Sequence, residues 1–459
     1  MKLIIENYPP ITQRSEIDLS KKFTIFVGEN NAGKTYVSNL IYELYKNIYE
    51  NYFELHITHD LVDINFLAKE LEEIIENKNQ NMEIDLTKNS KLSKYFIDSI
   101  QKIIDSIIQQ KFFYKNSSIS IKFDKNDFLN TKFSSHSEDY SHKFSVIKKN
   151  KSLNLKIAKK EKFNENDREG FESWLIESFY YQTIDNVISK YFHTNTVFLP
   201  STRTFFPQFY KYIYRLEKES KDDLIKQIKL GNRIDIDIFN SSYESSVDDI
   251  IKKMTLEVEK PRNSNYLEPL ERIIEGKIEV KKAESFAMAT LKYVTKDGLE
   301  LEMYKSSSMS NQLSLLYLYF KYWVKNENNF LMIDEPEINL HPQKNIELLE
   351  LLLKFSSENN NRVLLTTHSP VMAEALINYI LMFNLKEQGK NINEILKDSD
   401  IEIDSNIELT KDDIGIYYFD GNSIISYEAD TFGLHFGTFT KVKRDINRAK
   451  SLFLEHLDD

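Results

Sequence analysis

Residues Gly28 to Thr35, "GENNAGKT", match the pattern G-x-x-x-x-G-K-[ST] in full. Glycine lets the main chain approach a charged ligand closely and turn its N–H groups inward, so a loop of this kind cradles phosphates. Lys34 is then placed to reach the β- and γ-phosphates of a nucleoside triphosphate, and the Thr35 hydroxyl to hold Mg²⁺. The candidate nucleotide-binding positions are Gly28, Asn30, Asn31, Ala32, Gly33, Lys34, Thr35 and Tyr36. Further on, "FLMIDEPE" closes an apolar run with Asp334 and Glu335. That pattern suits phosphoryl transfer, with Asp334 beside the metal and Glu335 as the general base that polarises water. "VLLTTHSP" puts His368 just past a further apolar run, within reach of a γ-phosphate. Strands often end in acids, and a histidine at a strand end often caps the next helix. The complete glycine loop is what raises Glu335, His368 and Lys34 to catalytic candidates.

A fourth polar group is "YKSSSMSNQLSLLYLY". Its serines, Ser306, Ser307, Ser308 and Ser310, stand before a helix whose free N–H groups and positive dipole end attract anions. Taken alone, it reads as a generous N-cap.

Positioning these groups requires strands that end together. "KLIIENY" reads as a short half-buried strand, and "FTIFVGEN", "NTVFLP", "NFLMIDEP" and "RVLLTTHSP" read as buried ones. A helix is expected to start at Lys34, and another at the serine-rich segment. Helical patterns run from about Glu54 to Lys111, a β-rich stretch covers 117–160, and helix returns over 168–192. Residues 210–275 read as helical and charged. "GKIEVKK", "AMATLKYVT" and "LELEMYK" alternate as strands, the last two joined at "KDG". "IGIYYFDGNSIISYE" reads as a hairpin turning at Asp-Gly-Asn, followed by a terminal helix over 441–457. The expected fold class is α/β, with a mixed sheet interrupted by large helical and β-rich insertions. Roughly 300 residues separate the glycine loop from the acidic strand, far more than an ordinary connection. The core is therefore expected in three pieces, 1–53, 191–209 and 276–459, with insertions at 54–190 and 210–275.

The chain has 459 residues and no cysteine, which excludes disulfides, thiolate metal sites and cysteine nucleophiles. The first residues do not read as a signal peptide, and no apolar run approaches a membrane span, so a cytoplasmic location without membrane attachment is expected. The net charge of −11 argues against general polyanion binding. One basic segment, Lys143 to Phe163, stands apart; it reads as a solvated edge hairpin, with nucleic-acid contact as the alternative. His56, His59 and Asp60 sit at a spacing seen in metal sites but read as a solvated helical face. Asp398 to Asp400 has no apolar strand before it and reads as linker. No heptad repeat is sustained, so a long coiled-coil arm is not expected.

The order of glycine loop, "LPSTRTFF", "SSSMSNQLSLLYLY", "MIDEPEINLHP" and "LLTTHSP" resembles the compact ABC-type ATPases related to the OLD, RecF and SMC proteins. The motifs span most of the chain and leave the insertions uncovered. The resemblance implies a P-loop NTPase of ABC-ATPase type using ATP and Mg²⁺, with two ATP molecules sandwiched between two heads. It places Ser307 and Ser308 against the γ-phosphate held by a second copy, although the usual signature glycine is missing and Met309 stands in its neighbourhood. It sets Asn339 and His341 at the dimer seam and makes Arg203 a polar switch residue next to the nucleotide. No glutamine is assigned to the family's Q-loop. Without Toprim-like or zinc-hook features, the chain resembles the ATPase subunits of prokaryotic anti-phage systems such as PARIS and Septu. The implied role is a homodimeric or larger ATPase scaffold that controls a separate effector, a nuclease. The alternatives are a RecF/SMC-like DNA repair or recombination ATPase, and an ATP-gated scaffold that does not hydrolyse.

Overall fold

Apolar runs and their punctuation set the elements. In chain order the strands are β1 (Lys2–Glu6), β2 (Ser15–Asp18), β3 (Phe23–Gly28), β4 (Met82–Asp85), β5 (Ser118–Lys122), β6 (Lys132–Glu138), β7 (Ser141–Lys148) and β8 (Lys151–Lys156). They continue with β9 (Asn195–Leu199), β10 (Gly276–Lys281), β11 (Thr290–Thr295), β12 (Glu300–Glu302), β13 (Asn329–Asp334), β14 (Arg362–Thr367), β15 (Ile414–Phe419) and β16 (Ile424–Tyr427). The helices are α1 (Lys34–His56), α2 (Ser90–Lys111), α3 (Glu244–Leu256), α4 (Leu267–Ile274), α5 (Ser308–Leu318), α6 (Pro342–Ser357), α7 (Pro370–Glu387) and α8 (Ile392–Leu396). The structure is a computed structural model that describes residues 1–56, 82–85, 90–111, 118–123, 132–138, 141–148, 151–156, 195–209, 244–256, 264–281, 290–399 and 403–427, with isolated positions between these. The chain divides into two units. One is Met1–Tyr8, Asp18–Ser20 and Leu44–His193; the other is Pro9–Ile17, Lys21–Glu43 and Thr194–Asp459.

The second unit holds a six-stranded sheet in the order β16-β15-β3-β14-β13-β9. All neighbours are parallel except the β15–β16 hairpin, so the sheet is mixed. Every residue of β3 and β13 is buried, the pattern of parallel strands covered on both faces. Register lines up the carboxyl ends. Val27 pairs with Thr367, Asp334 with Thr366, Ile333 with Leu199 and Gly28 with Phe419. The carboxyl edge of such a sheet is where ligands bind, because loops and helix N-termini converge there.

Helices close the core. α5 is buried from Ser310 to Leu318, its polar Ser310, Asn311, Gln312 and Ser314 included. It packs on α4, β10 and the short turn Ser201–Phe205, while α6 packs on β14, α7 and α4. α3 and α4 fall inside the stretch expected as a helical insertion. Even so, Ile250, Ile251, Met254, Leu270, Ile273 and Ile274 belong to the main hydrophobic core. Their charged outer faces make this segment look like surface in the sequence. The turn Asp420–Ser423 closes the terminal hairpin, with the Asp420 carboxylate accepting from Asn422 N at 2.8 Å and Ser423 N at 2.6 Å.

In the other unit β1 pairs antiparallel with β5, and α2 packs on β5. β4, β6, β7 and β8 form an antiparallel sheet. The hairpin expected in the basic segment is present as β7–β8, with Lys148 opposite Lys151. Residues 157–163 of that segment, most of the helices expected at 168–192, 210–243 and 441–457, and the positions of Lys149, His59, Asp60 and Asp400 lie outside the described residues. Among the described residues, no helix is long and apolar enough to cross a membrane.

Candidate nucleotide-binding site

The glycine loop joins β3 to α1, the strand–turn–helix setting that phosphate cradling requires. Both glycines are there for space. A Cβ on Gly28 would lie 2.5 Å from the Phe419 carbonyl oxygen, and one on Gly33 would lie 2.7 Å from Pro10 Cγ. Gly33 and Asn31 also have positive φ, +97° and +65°. Lys34 is buried, and its ammonium donates to the loop carbonyls of Gly28 (2.9 Å) and Glu29 (2.7 Å). Burial pushes the Lys34 pKa down, opposed by the charges of Glu335, Asp334 and Glu337. Glu29, Asn30, Asn31 and Tyr36 are exposed, while Ala32 is buried.

Asp334 closes β13 and faces this loop. Its carboxylate accepts from the Thr35 hydroxyl at 2.9 and 3.0 Å, and from the Thr366 hydroxyl at the end of β14. Oxygen donors paired this way suit Mg²⁺, a hard cation that takes a hydroxyl and a carboxylate alongside phosphate oxygens. The hydroxyl–carboxylate pair and the buried Lys34 ammonium at the loop are the donors that a triphosphate and its metal need, so the residues present fit both. A family model described as "AAA ATPase domain" matches residues 1–373.

The chain belongs to this family.

It is an AAA ATPase with a P-loop NTPase fold. Solved structures that the chain matches include the SMC head domain from Thermotoga maritima, at 10% identity over 93% of this chain and 98% of that one, with a TM-score of 0.29. An SmcHead bound to the C-winged helix domain of ScpA matches at 12% identity over 95% and 98%, with a TM-score of 0.33. An Smc head with an extended coiled coil bound to the C-terminal domain of ScpA, derived from Pyrococcus furiosus, matches at 13% identity over 97% and 98%, also at 0.33. No curated protein matches the chain. The family match, not these loose superpositions, identifies the AAA ATPase.

The acidic strand of this AAA ATPase leads into a turn that holds Glu335 with φ +47°, an uncommon conformation for a residue with a side chain. Two hydrogen bonds from its N–H, to Thr366 O (3.0 Å) and Thr366 Oγ1 (3.1 Å), hold it there. The Glu335 carboxylate meets His368, with Nδ1 3.2 Å from Oε1. The helix-capping duty open to a histidine at this place falls to Ser369, whose hydroxyl accepts from Met372 N. The His368 ring is thereby left to Glu335. The two residues come together as a pair beside Asp334.

Arg203 is not at the surface. It is 1% exposed. Nε donates to Gln312 O (3.0 Å), Nη1 to Pro200 O (3.0 Å) and Asp334 O, and Nη2 to Glu335 O (3.0 Å). Burial lowers its pKa to about 10, opposed by Asp334, Glu337 and Glu335. Each donor nitrogen is spent on main-chain carbonyls. The burial follows from neighbours: β9 lies beside β13, so a residue just past Pro200 reaches the end of the acidic strand.

Ser307 is the N-cap of α5, its hydroxyl accepting from Ser310 N at 3.0 Å. Ser307 and Ser308 are both exposed. Asn339 is exposed with φ +64°, and His341 caps α6, Nδ1 accepting from Gln343 N at 3.3 Å. Sequence reasoning passed over Thr366 and Glu337. The signal for Thr366 was available: two adjacent parallel strands ending in "ID" and "TT" must place polar side chains side by side.

Proposed function

We propose that this AAA ATPase binds and hydrolyses ATP with Mg²⁺ at the carboxyl edge of its sheet, as an ABC-type head. The observation that carries this reading is the convergence of the loop with two strand ends, Thr35 on Asp334 and Glu335 on His368. In it, the main-chain N–H groups of Gly28–Thr35 bind the triphosphate, and Lys34 exchanges its carbonyl partners for phosphate oxygens. Thr35 and Asp334 would hold Mg²⁺, which when bound supplies charge neutralisation on the phosphates. Glu335 takes the proton of the attacking water, and His368 orients the Glu335 carboxylate and contacts the γ-phosphate. Exposed Ser307 and Ser308 at the start of α5 offer hydroxyls to the γ-phosphate held by a second copy, so ATP joins two heads. In this reading the head comprises 1–53, 191–209 and 276–459, with α3 and α4 packed into its core. The test is ATP hydrolysis by the purified chain, lost in Lys34→Ala and in Glu335→Gln; turnover unchanged in either variant sinks the assignment.

At the biological level the reading is a cytoplasmic ATPase scaffold of an anti-phage system that holds a separate effector nuclease and releases it according to nucleotide state. Its support is the motif resemblance together with a nucleotide site that needs no further chemistry in the same chain. Co-purification with a nuclease in one nucleotide state and not the other supports it. DNA cleavage by the purified chain alone overturns it.

A RecF/SMC-like DNA-binding ATPase is the second reading. The β7–β8 hairpin favours it, because its register pairs Lys143 with Lys156 and Lys148 with Lys151 at both ends. Charge reversal of Lys148 and Lys151 that weakens salt-sensitive duplex binding selects this reading.

A further inference from the structure

The turn after the acidic strand carries a third carboxylate, Glu337. It is 8% exposed, and its carboxylate hydrogen bonds go to the end of the neighbouring strand. Oε1 accepts from the Thr367 hydroxyl at 2.5 Å and from the His368 N–H at 3.1 Å. Thr367 Oγ1 in turn accepts from Ser369 N at 2.9 Å. One carboxylate oxygen therefore fixes the path of the chain over residues 367–369, the segment that carries the histidine.

The geometry of the turn explains how Glu337 reaches that segment. Glu335 has positive φ, Pro336 follows with its restricted φ, and the chain folds back so that Glu337 returns toward β14. His368 is thus held twice by residues from the same turn. Glu335 meets its ring, and Glu337 holds its main chain. The second Glu337 oxygen, Oε2, is buried without a hydrogen-bond partner, and an ionised group in that state is costly. Its charge also acts on Lys34, opposing the effect of burial there.

We propose that Glu337 is a positioning residue for hydrolysis: it sets where the His368 ring stands relative to the Glu335 carboxylate. This rests on the hydrolytic reading of the site given above. The Glu337 carboxylate hydrogen-bonds the segment that carries His368, so it acts on turnover and leaves ATP binding alone.

The test is a double-mutant cycle with steady-state ATP hydrolysis and fluorescent-nucleotide binding on the full chain. Glu337→Ala is expected to lower kcat by about tenfold to a hundredfold, the usual effect of a small misplacement of a reacting group. Nucleotide affinity stays within about threefold, because the loop contacts remain. Glu337→Gln keeps an acceptor in the Oε1 position and recovers most of kcat. In a His368→Ala background, Glu337→Ala adds less than about twofold, since the group it positions is gone. Independent, multiplicative effects in the cycle overturn the proposal. So does an undiminished kcat in Glu337→Ala, or a Gln variant as impaired as the Ala variant. If Glu337→Ala does not fold, Thr367→Val replaces it in the cycle, removing one of the two donors to the carboxylate. Its effect is expected to vanish in the His368→Ala background and, if it persists in full, the proposal falls. Full turnover in His368→Ala removes the role given to His368 and the positioning proposal with it, whereas a wild-type chain that does not hydrolyse ATP sinks the hydrolytic reading. Loss of turnover in His368→Ala with none in Glu337→Ala sinks the positioning role only.

Discussion

Arg203 and Asp334 meet through the main chain: Nη1 of the fully buried arginine donates to the Asp334 carbonyl, while the Asp334 carboxylate accepts from Thr35. The strand end is held from behind by one group and presented to the loop by another. The same guanidinium bonds Glu335 O and, on α5, Gln312 O. Arg203 therefore ties the acidic strand end to the helix that starts at Ser308. Lysine has no planar fork and cannot reach carbonyls on three segments at once. Arg203→Lys is expected to fold with lowered stability and reduced ATP turnover. Arg203→Met, which leaves buried carbonyls without donors, is expected to lose about 3 kcal/mol or more. Urea denaturation of both variants checks the order, and equal stability of Met and wild type rejects it.

Lys34 spends its ammonium on two carbonyls of its own loop. Removing it costs the fold little and removes the charge that a triphosphate meets. Lys34→Ala is expected to keep the circular dichroism spectrum and thermal transition of the wild type while ATP binding drops below detection. Calorimetric titration with Mg-ATP decides the matter, and saturable binding near wild-type affinity contradicts the role.

Glu335 sits in a left-handed conformation that costs roughly 1–3 kcal/mol, held by the Thr366 carbonyl and hydroxyl. That strain is kept where a general base is expected. Glu335→Gln preserves shape and hydrogen bonding and removes basicity. Turnover is expected to fall about 10²–10⁴-fold with ATP still bound. The variant should accumulate as an ATP-dependent dimer in light scattering. A monomer at saturating ATP removes support for the sandwich.

Much of this site was legible before the fold was known, for identifiable reasons. Gly28, Gly33, Lys34 and Thr35 follow one another in a short stretch, and the strand before and helix after are written in local periodicity. Asp334 and His368 were legible because each ends a run of apolar residues. The burial of Arg203 was not, because it depends on β9 lying beside β13, a pairing between segments 134 residues apart, Asn195 and Asn329. Glu337 was hidden for a similar reason. Its partners, Thr367 and His368, lie on a neighbouring strand, and a carboxylate in a polar turn looks solvated until that strand is in place. The membership of α3 and α4 in the core was masked by their charged outward residues.

Gly28 illustrates the same dependence on remote segments. A Cβ there would sit 2.5 Å from the carbonyl oxygen of Phe419, which pairs with it from the far end of the chain. The obstacle is main chain, so it cannot swing aside. Gly28→Ala is expected to push β15 away from β3, at a cost of about 1–3 kcal/mol, and to weaken ATP binding through the displaced loop. Hydrogen exchange should show faster exchange in Ile414–Phe419 as well as in the loop. Exchange that changes in the loop alone refutes the coupling.

The depressed pKa of Lys34 gives ATP binding a pH dependence with a definite sign. Burial lowers the free-state pKa below the ordinary lysine value of 10.5. A bound triphosphate stabilises the ammonium, so the bound-state pKa is higher than the free-state one. By linkage, affinity is at its full value below the free-state pKa. It falls as pH rises from there toward the bound-state pKa, by up to about tenfold per pH unit. The loss begins at a lower pH than it would for an exposed lysine. Within that window each binding event takes up a proton, which titration calorimetry in buffers of different ionisation enthalpy measures directly. In Lys34→Met, where residual binding can be forced at high nucleotide concentration, the alkaline fall and the proton uptake are both expected to disappear. Their persistence assigns the dependence to another group.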